Sequence, residues 1–436
     1  MIYFSTNKQL ILYSVGLLFF VKFFQRSFLN DIFFQLHSIF LLASLSYLIY
    51  FLIDYFLNFS INNNKKYSNQ LIYLSLLPIF VPFYGAYNSF FEFQQPVFYG
   101  ILSLRSWWGI GFAFYVYNQL CKEKINIDFL ISCLVGLGYF SIIFYIFTYL
   151  FIDLDAYAAD SIKDSIVRVD DSRGVRLRFN DYFTSFSIIY YVFKLSKNFK
   201  SSYFAGFIIF LLYFIFLSQS RTILFSLFLT SLFIMLYDFK TLNNLLSRLL
   251  IIFISSASLI LAMFMFFSEQ MNELIFLFQN SFSVLNLNSG FDVSANSRIT
   301  TSILAYSFLS KDLNSLFFGA GQFSSVYQGG ISEFIGWYFY PMDIGILGGL
   351  YTFGIIGAII IFLIPLIFSL LIMFEILKNR NLINEKIFTA YMIYLILINF
   401  AQGNFFFMPF MIFLVILILN QSINSKKFYS KNPLSL

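Results

Sequence analysis

The chain has 436 residues, of which 59% are hydrophobic, 22% aromatic and only 11% charged, with a net charge of +6. Soluble domains place charge at about a quarter of their positions, so this composition excludes a water-soluble enzyme. The basic residues are scattered between apolar runs instead of gathered on one patch or arm, which excludes nucleic acid as a partner. The 65 Phe are read as a match to lipid as the solvent.

Apolar runs long enough to cross a bilayer, roughly 17–25 residues each, recur along nearly the whole chain. In order they cover 9–25, 33–57, 70–91, 98–119, 128–152, 182–195, 202–218, 222–237, 249–267, 344–375, 387–403 and 405–420. The expected fold is all-α: a polytopic integral membrane protein of about 12 transmembrane helices with a large external loop. The spans at 182–195 and 405–420 are short and 344–375 is long, so counts of ten to twelve stay open. The first run lacks a small-residue cleavage site and reads as a retained span.

The expected organisation is 1–152 with spans 1–5, a charged external loop at 153–181, spans 6–9 in 182–267, a large external loop at 268–343 with an amphipathic helix, and spans 10–12 with a tail in 344–436. Loops carrying Lys65 and Lys66, Lys122 and Lys124, Lys194, Lys197 and Lys200, Lys240 and Arg248, then Lys378, Arg380 and Lys386 fall on one side. That alternation places both termini in the cytoplasm of a bacterial inner-membrane protein.

Cys121 and Cys133 have no metal-ligand spacing, and His37 is the single histidine, so neither a zinc site nor a Ser-His-Asp triad can be assembled. No metal or cofactor is expected. Arginine is different. The cytoplasmic side is nearly all Lys, whereas the external side holds Arg26, Arg105, Arg168, Arg173, Arg176, Arg178, Arg221 and Arg298. The guanidinium fork grips phosphate in a bidentate way, so this set suggests a phosphorylated ligand. Pairing of the 168–178 group with Asp160, Asp164, Asp170 and Asp171 in a solvated loop is the alternative.

Arg221 stands in FLSQSRTILFSLF, where two spans meet. Arg105, in GILSLRSWWGIG, falls inside a predicted span and is a functional candidate there, or an interface residue beside Trp107 and Trp108 if the span begins later. Arg298 opens a segment capped by Asp292 and Ser294, with Ile299, Ile303, Leu304, Phe308 and Leu309 at helical spacing. After it comes LFFGAGQF, whose Gly319 and Gly321 would let a backbone approach an anion.

These elements resemble the bacterial O-antigen polymerase and ligase superfamily of membrane glycosyltransferases. The resemblance rests on LSQSRTILFSLFL, on SRITTSILAYSF followed by LFFGAGQF, and on DIGILGGLYTFGIIG, and covers roughly 160–375. It implies that Arg221 and Arg298, with Arg176 and Arg178 in RGVRLRFND, hold the diphosphate of a polyprenyl-linked sugar donor, Gly319 and Gly321 lying beside it. Ligases of the superfamily typically carry a His near the end of the long loop; Asp343 stands there in this chain, which points to a polymerase of surface polysaccharide repeat units, O-antigen or capsule. Asp343 and Glu333 are the candidate bases for the attacking sugar hydroxyl. Trp337, Tyr338 and Tyr340 are candidate sugar-stacking residues or interface anchors. The expected partners are the polyprenyl-diphosphate-linked oligosaccharide, membrane lipid, and chain-length regulator and flippase proteins. A ligase and a flippase or other transporter are the alternative functions.

Overall fold

The computed structural model describes residues 6–26, 30–59, 69–151, 167–170, 174–177, 181–218, 220–237, 293–324, 326–330, 339–378 and 382–431. The expected span at 249–267 and most of both long loops, including Arg173, Arg178, Glu333, Trp337 and Tyr338, lie outside the described residues. The described chain is helical, with one short antiparallel hairpin. Six of its helices are long and apolar enough to cross a membrane: Phe33–Leu57, Gln70–Phe93, Ile127–Phe151, Ser201–Ser218, Pro341–Lys378 and Ile383–Gln402. Shorter apolar helices run over Lys8–Phe20, Thr222–Ile234 and Phe410–Ile423.

The chain divides into two compact units, one formed by 1–137 with 301–436 and the other by 138–300. The first unit contains α1 (Thr6–Phe20), α2 (Asn30–Phe59), α3 (Asn69–Phe93), α4 (Val97–Leu104) and α5 (Ile110–Cys121). The division itself falls inside α6 (Ile127–Phe151).

The second unit holds the rest of α6, strands β1 (Val167–Asp170) and β2 (Gly174–Leu177), and helices α7 (Tyr182–Lys197), α8 (Ser201–Leu212) and α9 (Arg221–Tyr237). Helix α10 (Val293–Leu309) crosses the division, and the first unit resumes with α11 (Leu313–Phe318), α12 (Gly345–Ala358), α13 (Ile364–Lys378), α14 (Ile383–Gln402), α15 (Asn404–Phe407) and α16 (Phe410–Lys431).

Burial sorts these helices by what they face. The start of α16, FMIFLVILIL, is apolar on every side, and Phe410 through Leu419 are each at most 1% exposed. A helix apolar all round is an interior helix, and α16 packs against α5, α13 and α14. In contrast, α2 leaves Ile39, Leu42, Ile53 and Leu57 more than half exposed, a surface suited to hydrocarbon.

Two expected spans are interrupted. The 98–119 span is α4 and α5 separated by a 3-10 turn over Arg105–Gly109, which buries Trp107 with its indole N–H donating to the Phe406 carbonyl at 3.2 Å. Arg105 therefore sits at a helix break instead of inside a continuous span. The 344–375 span breaks at Gly354, whose φ of 62° and ψ of −174° are non-helical, and passes through a π-helical turn over Ile359–Leu363. Such breaks occur in membranes only where neighbouring groups satisfy the freed backbone.

Candidate functional site

The sequence candidates fall on two local arrangements, one in each unit. In the first unit, α11 ends at Gly319 and the chain turns through GAG against α3 and α12. The Ala320 amide donates to the Tyr351 carbonyl at 2.7 Å, the Gly321 amide to the Thr352 carbonyl at 2.8 Å, and the Gln322 amide to the Gly85 carbonyl at 3.2 Å. The Gly319 amide donates to Ser315. The Tyr351 and Thr352 carbonyls need outside donors because the break at Gly354 interrupts the helical ladder above them. The loop thus fills the gap in α12.

Side chains of α3 and of the turn that follows it lock this junction from the other side. Tyr84 donates its hydroxyl to the Phe353 carbonyl at 3.0 Å, Asn88 donates to the Phe318 carbonyl, and Gln95 donates to the Gln322 carbonyl at 3.2 Å while accepting from the Ser324 amide at 2.7 Å. Gly321, at φ 77°, has no room for a Cβ, which would collide with the Ser89 amide nitrogen and the Gly85 carbonyl oxygen. An amide spent on a carbonyl cannot also cradle a phosphate. The two glycines therefore allow close backbone packing, and the Gly319, Ala320 and Gly321 amides all donate to carbonyls of the chain.

Asp343 lies nearby in sequence, in the 3-10 turn Pro341–Ile344 that leads into α12, where it is half-buried. Its neighbours Ile344 and Leu347 pack on a small cluster formed by Ala305, Ala320, Phe339 and Tyr351, so α10, the GAG turn and the foot of α12 share one core. Tyr340 is 44% exposed.

Helix α10 begins at Val293, so the expected cap Ser294 lies inside it and Arg298 is its sixth residue and is exposed. Its buried stripe is Thr301, Ala305 and Leu309, with Leu304 and Phe308 packed at its edge; Ile303, expected on the apolar face, is 62% exposed.

In the second unit, part of the expected charged loop is the β1–β2 hairpin. Its register pairs Arg168 with Arg176 and Asp170 with Gly174, alternating with Val167–Leu177 and Val169–Val175. The alternation VRVD and GVRL, at period two around a glycine, was the readable signal for this hairpin.

Strand β2 packs against the π-helical turn Tyr213–Ser218 that ends α8. That turn is held by Asp181, an acid that reading of the sequence did not single out: its carboxylate accepts from the Tyr213 hydroxyl at 2.7 Å and the Ser218 hydroxyl at 3.0 Å. Tyr145 of α6 donates to the Leu217 carbonyl at 2.7 Å. Three residues after Ser218, Arg221 is the first residue of α9. The fold so brings the strand of Arg176, the Asp181 clamp and the junction of Arg221 into one neighbourhood, while Gly319, Gly321 and Asp343 belong to the other unit.

No family model matches the chain, and no curated protein matches it. Among the described residues, no group of three or more His, Cys, Asp or Glu is arranged to hold a metal ion.

Proposed function

We propose that the protein is a polymerase of surface polysaccharide repeat units, O-antigen or capsule, acting on the external face of the bacterial inner membrane. The growing glycan passes from polyprenyl diphosphate to the terminal hydroxyl of a lipid-linked repeat unit. The observation that supports this reading best is the meeting of the arginine hairpin with the turn that leads to Arg221. Arg221 opens a 17-residue helix, and a helix start offers unpaired amides and a positive dipole end to an anion. Arginines there would hold the diphosphate leaving group and stabilise its growing charge. Arg298 and Arg178 complete the arginine set, and Asp343 or Glu333 would take the proton of the attacking hydroxyl.

A lipid-linked oligosaccharide flippase is the second reading, favoured by the interruption of α12 at Gly354, since transporters place broken helices at their sites. Here the break is filled by the chain's own GAG turn, which favours the enzyme. The test is to supply the purified protein with the polyprenyl-diphosphate-linked repeat unit of its host and resolve the products on a gel. A ladder of increasing repeat number is the expected result. No extension by folded protein, together with transfer of the same lipid-linked unit across vesicles, would replace the polymerase with the flippase.

A further inference from the structure

The loop expected outside the membrane at 268–343 contains a segment that the fold carries down beside α3 and back up again. The contacts of residues 311–324 trace this path, and α3 itself, over Gln70–Phe93, is long and apolar enough to cross a bilayer. Lys311, just after α10, reaches Glu92 near the end of α3 at 3.7 Å. Helix α11 follows, and its end lies lower on α3, where the Phe318 carbonyl accepts from Asn88 and, at 3.3 Å, from Tyr84. At the lowest point Gly321 rests on the Gly85 and Ser89 backbone, and the Gln322 amide donates to the Gly85 carbonyl. The chain then climbs. The Gln322 carbonyl and the Ser324 amide both bond to the buried Gln95 side chain just past α3, and the Phe323 ring lies 5.1 Å from that of Phe93. Gly85 precedes Glu92 by seven residues, which at about 1.5 Å of helical rise each is a descent of about 10 Å.

What the segment exposes changes with depth. At the top stand Lys311, Asp312 and Glu92, all charged and exposed. Below them α11 exposes Leu313, at 71%, and then Phe317 and Phe318. Alongside, α3 turns Phe83, Tyr87, Phe90 and Phe91 outward, in a row that continues through Phe80 to Leu76. Spaced by three and four residues, that row is one helix face, and on a helix able to span a membrane it is a face for hydrocarbon. Helix α11 widens the same face.

The turn between the two limbs meets the demand that hydrocarbon makes of a backbone. Irregular chain is tolerated at membrane depth only where the protein satisfies it, because no water is there to do so. The Gly319, Ala320, Gly321 and Gln322 amides all donate to carbonyls of the chain, and Ala320 and Gly321 are buried.

We propose that residues 311–324 form a re-entrant hairpin that dips into the bilayer beside α3, with Leu313, Phe317 and Phe318 against lipid acyl chains and Lys311 and Asp312 at the membrane surface. The hairpin does not depend on the polymerase reading and would persist if that reading failed.

The test uses the full-length protein in lipid nanodiscs, with Cys121→Ser and Cys133→Ser so that a single introduced cysteine carries a nitroxide label. The labelled positions are Lys311→Cys, Leu313→Cys and Phe317→Cys, with Leu76→Cys as the reference in the α3 row. Power saturation compares access of oxygen, which concentrates in hydrocarbon, with access of a water-soluble nickel chelate. The oxygen-to-nickel ratio at Phe317→Cys is expected to match that at Leu76→Cys and to exceed that at Lys311→Cys about fivefold or more. Leu313→Cys is expected to exceed Lys311→Cys as well, and it decides the matter if Phe317→Cys does not fold. Nickel access at the α11 labels equal to that at Lys311→Cys would put this helix in water, and low access of both reagents would put protein over it. Either outcome overturns the proposal.

Discussion

Helices are interrupted in both units, and the two repairs differ in kind. At Gly354 the freed carbonyls are met by main-chain amides of the GAG turn, with Tyr84, Asn88 and Gln95 closing the rest. At Tyr213–Ser218 the repair uses a carboxylate, with Asp181 gripping two hydroxyls and Tyr145 reaching one carbonyl. The first junction spends the Ala320, Gly321 and Gln322 amides on carbonyls of the chain itself and is scaffold. The second brings the Asp181 clamp and the paired strand positions of Arg168 and Arg176 into one neighbourhood.

The sharpest way to break this comparison is to crowd the scaffold. Gly321→Val would force a Cβ into the Ser89 and Gly85 backbone at a φ of 77°, at a cost of more than about 3 kcal/mol. Almost no folded protein should be recovered from the membrane by size-exclusion chromatography; a normal yield would mean the junction is looser than its hydrogen bonds imply.

The remaining changes should leave the protein in place and act on turnover. Asp343→Asn is expected to slow polymer formation by about 10²-fold or more, the usual worth of a general base, in an initial-rate assay with lipid-linked repeat units. Arg221→Ala and Arg298→Ala should each lower the rate by about 10²-fold, with Lys a poor rescue because it lacks the bidentate fork. Full activity of both Ala variants would remove the diphosphate clamp.

Asp181→Ala separates the two junctions more finely. It strands the Tyr213 and Ser218 hydroxyls and should destabilise the protein by about 1–3 kcal/mol, read as a fall in Tm. If the second junction positions Arg221, polymer length should fall with it.

Asp312→Asn should have the smallest effect and serves as the control for Asp343. The Ser315 amide bonds to the Asp312 carboxylate at 2.7 Å at the start of α11, and this holds the carboxyl below its ordinary 3.8. A lowered pKa gives stability that is present above the ordinary value and fades as pH falls through the folded one. The variant should therefore match wild type in rate, and differ only by a slight loss of Tm at neutral pH that vanishes in acid.

The apolar helices were legible in the sequence because lipid-facing positions need only length and hydropathy, as at Phe33–Leu57 and Ile127–Phe151. Interruptions were harder to read, since Gly354 sits inside a run that stays apolar on both sides and the charge at Arg105 does not by itself show that the helix breaks there. Gly319 and Gly321 were conspicuous, but a glycine that admits a ligand and one that admits another backbone look alike until the neighbour is known; here it is α3 and α12. Asp181 was hidden as the last letter of a charged loop because its partners Tyr213 and Ser218 lie more than thirty residues away.

Helix α16 bears on how the protein is made. The helix at the centre of the first unit leaves the ribosome about 290 residues after the end of α5, against which it packs. At synthesis rates of about 5–20 residues per second, the early helices wait on the order of half a minute for the core they enclose. During that interval the face of α5 that α16 will cover is open to lipid or to an insertion chaperone, so the core of this unit closes long after its first helices are made.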